Sequence, residues 1–244
     1  MTKHRGGDRD IESGSGDAAL YPNMAENPQI RWAFVRKVYS IVCFQMFLTI
    51  AVACVINFVQ PIRGFLLSHT TASLVVLIVI VVSPFLVLLP MIYFRERHPL
   101  NLILLTLFTI CMSLAIGMAC ANSKGKVVLE AAALTVVVFV GLTCYTFWAA
   151  KRGYDFNFLG PFLFASLMVL MLYCLIQIFI PMGKVSTTIY GCLAAIIFSG
   201  FIIYDTDNLI KRHSYDQYIC AAISLYLDVI NLFTAVLAIF NAEC

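Results

Sequence analysis

Charge is what this chain has least of. Of its 244 residues, 12% are Asp, Glu, Lys or Arg and 61% are hydrophobic, whereas a water-soluble domain carries about 25% charged residues. That shortage excludes an ordinary soluble domain. Apolar runs of about 20 residues recurring along the chain point instead to a polytopic helical membrane protein. The net charge of +3 is too small to suggest a nucleic-acid partner. The nine cysteines (43, 54, 111, 120, 144, 174, 192, 220 and 244) form no CxxC and fall mostly inside apolar runs. They read as small side chains between helices, not as a disulfide or metal framework. His4, His69, His98 and His213 lie in the tail or loops without a partner at ligand spacing, which argues against an intramembrane zinc hydrolase. No cleavable signal peptide is visible, so the first span is expected to act as the targeting signal.

Residues 1–30 are polar, contain Gly6, Gly7, Gly14 and Gly16, and read as a disordered cytosolic tail. Residues 31–244 form the expected transmembrane domain, with spans near 38–58, 74–94, 100–120, 128–148, 159–180, 187–209 and 217–240, each able to cross a hydrocarbon core of about 30 Å. Pro84 and Pro90 predict a kink or local break in the second span. Twelve of the sixteen Lys and Arg residues fall on the side of the tail and four on the other, which places the N-terminus in the cytosol. Trp32 and Trp148 sit near the cytosolic boundaries as interfacial anchors. The small residues Gly191, Ala195 and Ser199 of the sixth span form a stripe that permits close helix approach.

Against this apolar background, carboxylates inside spans stand out, since each costs at least about 2.5 kcal/mol in hydrocarbon. Asp205 and Asp228 occupy the sixth and seventh spans. In the seventh, Ala221, Ser224, Asp228, Asn231 and Ala235 share one face, and a small polar stripe turns away from lipid toward the bundle or a water-filled cavity. Counting from Ser214 as hairpin tip, the two aspartates differ in depth by about 7 Å, which tilt and side-chain reach can close. Asp207 points about 200° away around the helix and is read as a solvated or capping residue. If Asp205 and Asp228 approach, they cannot both ionise cheaply, so they would share a proton and titrate as a unit. Deprotonated, the pair supplies hard oxygen ligands suited to transient Ca²⁺. The alternative is that each Asp hydrogen-bonds its own neighbours with no ion involved.

Three further residues are candidates. Glu130 opens the fourth span, where the helix dipole stabilises a carboxylate, or it serves as an entry site for cations. Arg95, at the cytosolic end of the second span, pairs with Asp205 or snorkels to lipid phosphates. Ser224 and Asn231 are candidate ion-path residues by their face.

Six stretches carry a family resemblance: FVRKVYSIVCFQMFLTIA, RHPLN, VLEAAALT, KRGYDFNFLG, IIYDTD and ISLYLDVINLF. Together they resemble the transmembrane Bax inhibitor motif family, and its lifeguard branch in particular, from Arg31 to Phe240. The resemblance implies an all-α bundle of seven transmembrane helices with the last one central, enclosed by the other six. It implies a pH-sensitive Ca²⁺ leak channel governed by the Asp205–Asp228 pair, with Arg95 as latch to Asp205 and Glu130 as the matching fourth-span glutamate. No enzymatic activity and no permanently bound cofactor are implied, with calcium as the transported ion. The implied setting is the endoplasmic reticulum or a related endomembrane, with the plasma membrane as an alternative. The implied role is lowering store calcium and suppressing stress-induced cell death, in company with other membrane or cell-death regulators. One departure is that the second span carries no acidic residue, unlike some relatives. An intramembrane aspartyl protease would also place aspartates on spans six and seven. However, Leu225-Tyr226-Leu227 stands before Asp228 where a Gly-x-Gly would be needed to open the backbone to substrate. A retinal-type receptor is excluded by the lack of lysine in the seventh span. A non-conducting interaction protein remains the other reading.

Overall fold

The computed structural model describes residues 19–243 except 23, 25, 69, 94–98 and 180–182. Helices α1 (Pro28–Phe58), α3 (Thr71–Tyr93), α4 (Leu100–Ala121), α5 (Gly125–Lys151), α6 (Leu159–Phe179), α7 (Lys184–Lys211) and α8 (Tyr218–Glu243) are joined by a short α2 (Gln60–Leu66) and a 3-10 turn, Tyr215–Gln217. Seven of these helices are long and apolar enough to cross a membrane, and no strand occurs among the described residues. The protein is therefore an all-α, multi-pass membrane protein.

Local chemistry sets several of the ends. Asn27 caps α1 by accepting from the Gln29 amide at 2.9 Å, with Pro28 in the first turn, where a proline sacrifices no helical bond. At 31 residues, α1 is about 46 Å long and begins ten residues earlier than the apolar run alone predicts. Leu20 is buried and Tyr21 and Met24 pack on the core. The expected disordered tail of residues 1–30 is thus folded at its C-terminal end, while residues 1–18 lie outside the described set. Pro84 and Pro90 do not interrupt α3. Pro84 cannot donate to Ile80, and the Ser83 hydroxyl takes that carbonyl instead at 3.0 Å. Gly153, at φ +83°, closes α5 with its amide on Ala150 O and that of Tyr154 on Ala149 O, a left-handed stop suited to glycine.

The core gathers on α8, with 56% of its apolar window buried against 11% for α6. Leu225, Tyr226, Ile230 and Leu232 are enclosed, chiefly by α1, α4, α5 and α7. Helices α3 and α6 lie further out, packed mainly on α4 and α7 respectively, so the enclosure is mostly the work of four helices and not six. Buried polar side chains tie the inner helices together. Gln45 of α1 donates to Thr109 of α4 at 3.0 Å, and Thr49 of α1 meets Tyr226 of α8 at 2.8 Å and Ser113 of α4 at 3.1 Å. In hydrocarbon such bonds and close backbone contacts replace the hydrophobic drive as glue. The cysteines mostly differ from expectation. Cys43, Cys54, Cys144, Cys174 and Cys192 face outward, while Cys111 and Cys120 are buried.

The small-residue stripe of α7 meets α8. A Cβ added to Gly191 would lie 3.0 Å from the Ala235 carbonyl and 2.7 Å from Ile239, and the carbonyl belongs to backbone that cannot step aside. Gly191→Ala is expected to cost about 1–3 kcal/mol through overpacking, read as a lower apparent unfolding temperature in detergent.

Candidate functional site

The site forms where the last turns of α7 pass the middle of α8. A side-chain hydrogen bond joins Asp205 to Asp228, so the expected depth offset does not keep them apart. Asp205 is half-buried and is also hydrogen-bonded to Asn208 and Ser224. Asp228 is buried, and its Oδ2 has no hydrogen-bond partner among the described residues. The backbone through Leu225-Tyr226-Leu227 is unbroken helix, as those non-glycine residues dictate. Asn231 lies half-buried one turn further along the same face. The structure therefore brings Asp205, Asp228 and Ser224 together, with Asn231 next in line.

Glu130 does not join them. It is the sixth residue of α5, past the first turn where a dipole acts, and it is exposed and paired with Lys126 at 3.6 Å. The residues before it, from Gly125 on, are already helical, which moves the helix start away from the glutamate. Arg95 lies outside the described residues.

Asp207 overturns the expectation of a solvated residue, being fully buried. Lys211 Nζ stands 2.5 Å from its Oδ1, Arg212 Nη1 donates to Oδ2 at 3.0 Å, and the Phe156 amide approaches Oδ2 at 3.3 Å. Arg212 also pairs with Asp155, and Lys211 donates to the Tyr154 carbonyl. The loop after α5 is thus folded under the end of α7, covering what a lone helix would leave to water. Its hydrogen bond from Arg212 holds the Asp155 carboxyl below the usual carboxylate range.

Arg31 was expected only as one of twelve positive charges. It is instead 1% exposed, donating from Nε to Ile210 O at 2.9 Å and from Nη1 to His213 O at 2.5 Å. It thereby satisfies one carbonyl in the last turn of α7 and one just beyond the helix, where a cation also meets the negative end of the dipole. The Phe34 and Tyr215 rings flank it. Its sequence neighbourhood, RWAFVRK, gave no sign of which arginine would turn inward.

Comparison with known proteins supplies the context. A family model described as "Inhibitor of apoptosis-promoting Bax1" matches residues 31–243. Protein LIFEGUARD 4 of Arabidopsis thaliana is 58% identical across 96% of this chain and 95% of its own length. Protein lifeguard 4 of Mus musculus is 39% identical over 87% of this chain and 86% of its own. The Golgi anti-apoptotic protein of Vaccinia virus (strain Lister) is 38% identical over 88% and 87%.

Proposed function

Because the chain belongs to the Bax inhibitor family, within its lifeguard branch, we propose that it is a pH-sensitive calcium leak channel of an endomembrane. In this reading the Asp205–Asp228 pair is the gate. The hydrogen bond between the two carboxyl groups on adjacent inner helices is the observation that carries it. Two carboxylates this close share a proton, and adding or removing that proton changes the force between α7 and α8. Calcium is the cargo. Two aspartates fall well short of the six to eight oxygens that calcium prefers, which suits a passing ion better than a resident one. The lysine and arginine distribution supports a cytosolic N-terminus. The name of the viral relative supports a part in restraining cell death.

The test is calcium efflux from proteoliposomes across pH. Wild-type protein is expected to give a flux that varies with pH, and Asp205→Asn and Asp228→Asn are each expected to flatten that dependence. Flux that keeps its pH profile in both variants defeats the gate and leaves a non-conducting interaction protein as the reading.

A further inference from the structure

We propose that the cleft between α1, α2, α3 and α4 binds one anionic phospholipid, with an acyl chain in the cleft and the phosphate on Arg63 and Lys124. The cleft has a volume of about 500 Å³ and only apolar side chains line it, a size and lining usual for small-molecule sites. Ile56, Leu66 and Ile80 are buried and form its back wall, while Ile62, Phe65 and Val76 are exposed along its rim. The wall residues pack in turn on Met118 and Ala121 of α4, so the hollow is held open by packed helices.

The depth of the cleft matches one leaflet. Helix α2 joins the ends of α1 and α3 at the membrane boundary, and Ile80 lies nine residues along α3 from Thr71, about 14 Å. Half of a hydrocarbon core is about 15 Å. The cleft therefore runs from headgroup level to the middle of the bilayer, which is the reach of an acyl chain. A transmembrane helix, from a partner or a second copy, would have to continue past α2, which supplies Pro61, Ile62, Phe65 and Leu66 to the cleft and closes that end. A lipid instead turns at the boundary into a compact headgroup that fits beside α2.

Charge decides which headgroup fits. Of the four cations on this side of the membrane, Arg63, Lys124, Lys126 and Lys184, the first three gather at this corner. Arg63 follows Ile62 of the rim, and its Nη2 donates to Ala121 O at 3.1 Å. That carbonyl ends α4, seven residues beyond Leu114 of the lining and so about 10 Å nearer the boundary. The guanidinium is thereby fixed above the tail cleft, and its Nε and Nη1 bond to no described residue. Lys124, three residues past Ala121, is exposed and pairs with no described carboxylate. Lys126 is answered by Glu130 at 3.6 Å. A fixed guanidinium binds phosphate through its fork and an ammonium as a point charge, and the two together favour a headgroup of net negative charge. A bound lipid would also tie α3, otherwise packed mainly on α4, to α1 and α2.

The experiment is native mass spectrometry and thermal unfolding of the full chain, purified in detergent and stripped of lipid. It is then offered phosphatidylglycerol or phosphatidylcholine with the same acyl chains. Wild-type protein is expected to take up one phosphatidylglycerol per chain, to favour it over phosphatidylcholine and to unfold at a higher temperature with it. Arg63→Gln and Lys124→Gln are each expected to weaken phosphatidylglycerol binding about fivefold, the effect of one cation at a lipid surface, and the double variant should bind the two lipids alike. Arg63 also caps α4, so its loss can lower stability without lipid, whereas Lys124→Gln isolates the headgroup effect. Ile62→Trp and Val76→Trp, which fill the cleft from its rim, are each expected to abolish uptake of both lipids at an unchanged lipid-free unfolding temperature. Lys184→Gln, at the start of α7, should change nothing. Equal binding of the two lipids by wild type, uptake that survives both tryptophan variants, a loss in Lys184→Gln equal to that in Lys124→Gln, or a dimer that Ile62→Trp dissociates would each overturn the assignment.

Discussion

Replacing Lys211 by Met together with Arg212 by Gln is expected to destabilise the bundle by about 3–5 kcal/mol, the usual penalty for stranding a buried charge. Asp207 is fully buried, and its two oxygens rest on those two cations at 2.5 and 3.0 Å. With both removed, only the Phe156 amide at 3.3 Å remains for a carboxylate that burial keeps from water. Each single variant should cost much less, because the surviving cation still neutralises Asp207. Adding Asp207→Asn to the double variant should recover much of the loss, since an amide tolerates burial better than a bare carboxylate. Unfolding followed by tryptophan fluorescence in detergent measures the whole set as a cycle. A double variant no worse than the weaker single would show that Asp207 has another source of compensation.

Arg31→Met should cost about 3 kcal/mol, because two bonds from a charged donor, to the Ile210 carbonyl of α7 and to the His213 carbonyl just past its end, disappear together. The methionine would still fill much of the space between Phe34 and Tyr215, so the loss is chiefly of capping. Hydrogen exchange should rise at residues 210–217 and change little in α4. Acid should act on the same corner. Burial, followed by the hydrogen bond to Gln217 in the opposite sense and the nearby Arg31 charge, leaves the His213 imidazole below its ordinary value of 6.5. A group depressed by folding contributes stability that is full above its unfolded value and is lost as pH falls through its folded one. The hairpin between α7 and α8 is thus expected to loosen as the solution is taken below about pH 6.5. In Arg31→Met that loosening should be shallower, one of the charges that opposes protonation being gone.

Much of the fold was legible in the sequence because hydrocarbon permits so few structures. Long apolar runs must be helices there, and the face holding Ser224, Asp228 and Asn231 had to turn inward. The pairing of Asp205 with Asp228 followed from the same constraint once depth was counted. What escaped was the chemistry at the helix ends. Asp207 looked solvated because helix rise and rotation describe one helix at a time and cannot show that the Gly153–Phe158 loop folds back beneath it. Arg31 and Glu130 failed similarly. One was averaged into a charge count, and the other was assigned to a helix start that lay five residues earlier. Where water and backbone compete for partners, tertiary neighbours decide, and those neighbours are remote in the chain.

The most enclosed helix, α8, is also the last of the seven to leave the ribosome. Until it arrives, α1, α4, α5 and α7 surround no filled centre, and Thr49 and Asp205 still await Tyr226 and Asp228. Assembly of the working bundle is therefore an event after synthesis of the other spans, and a chain cut short before Tyr218 would be inserted yet hollow, a natural target for membrane quality control.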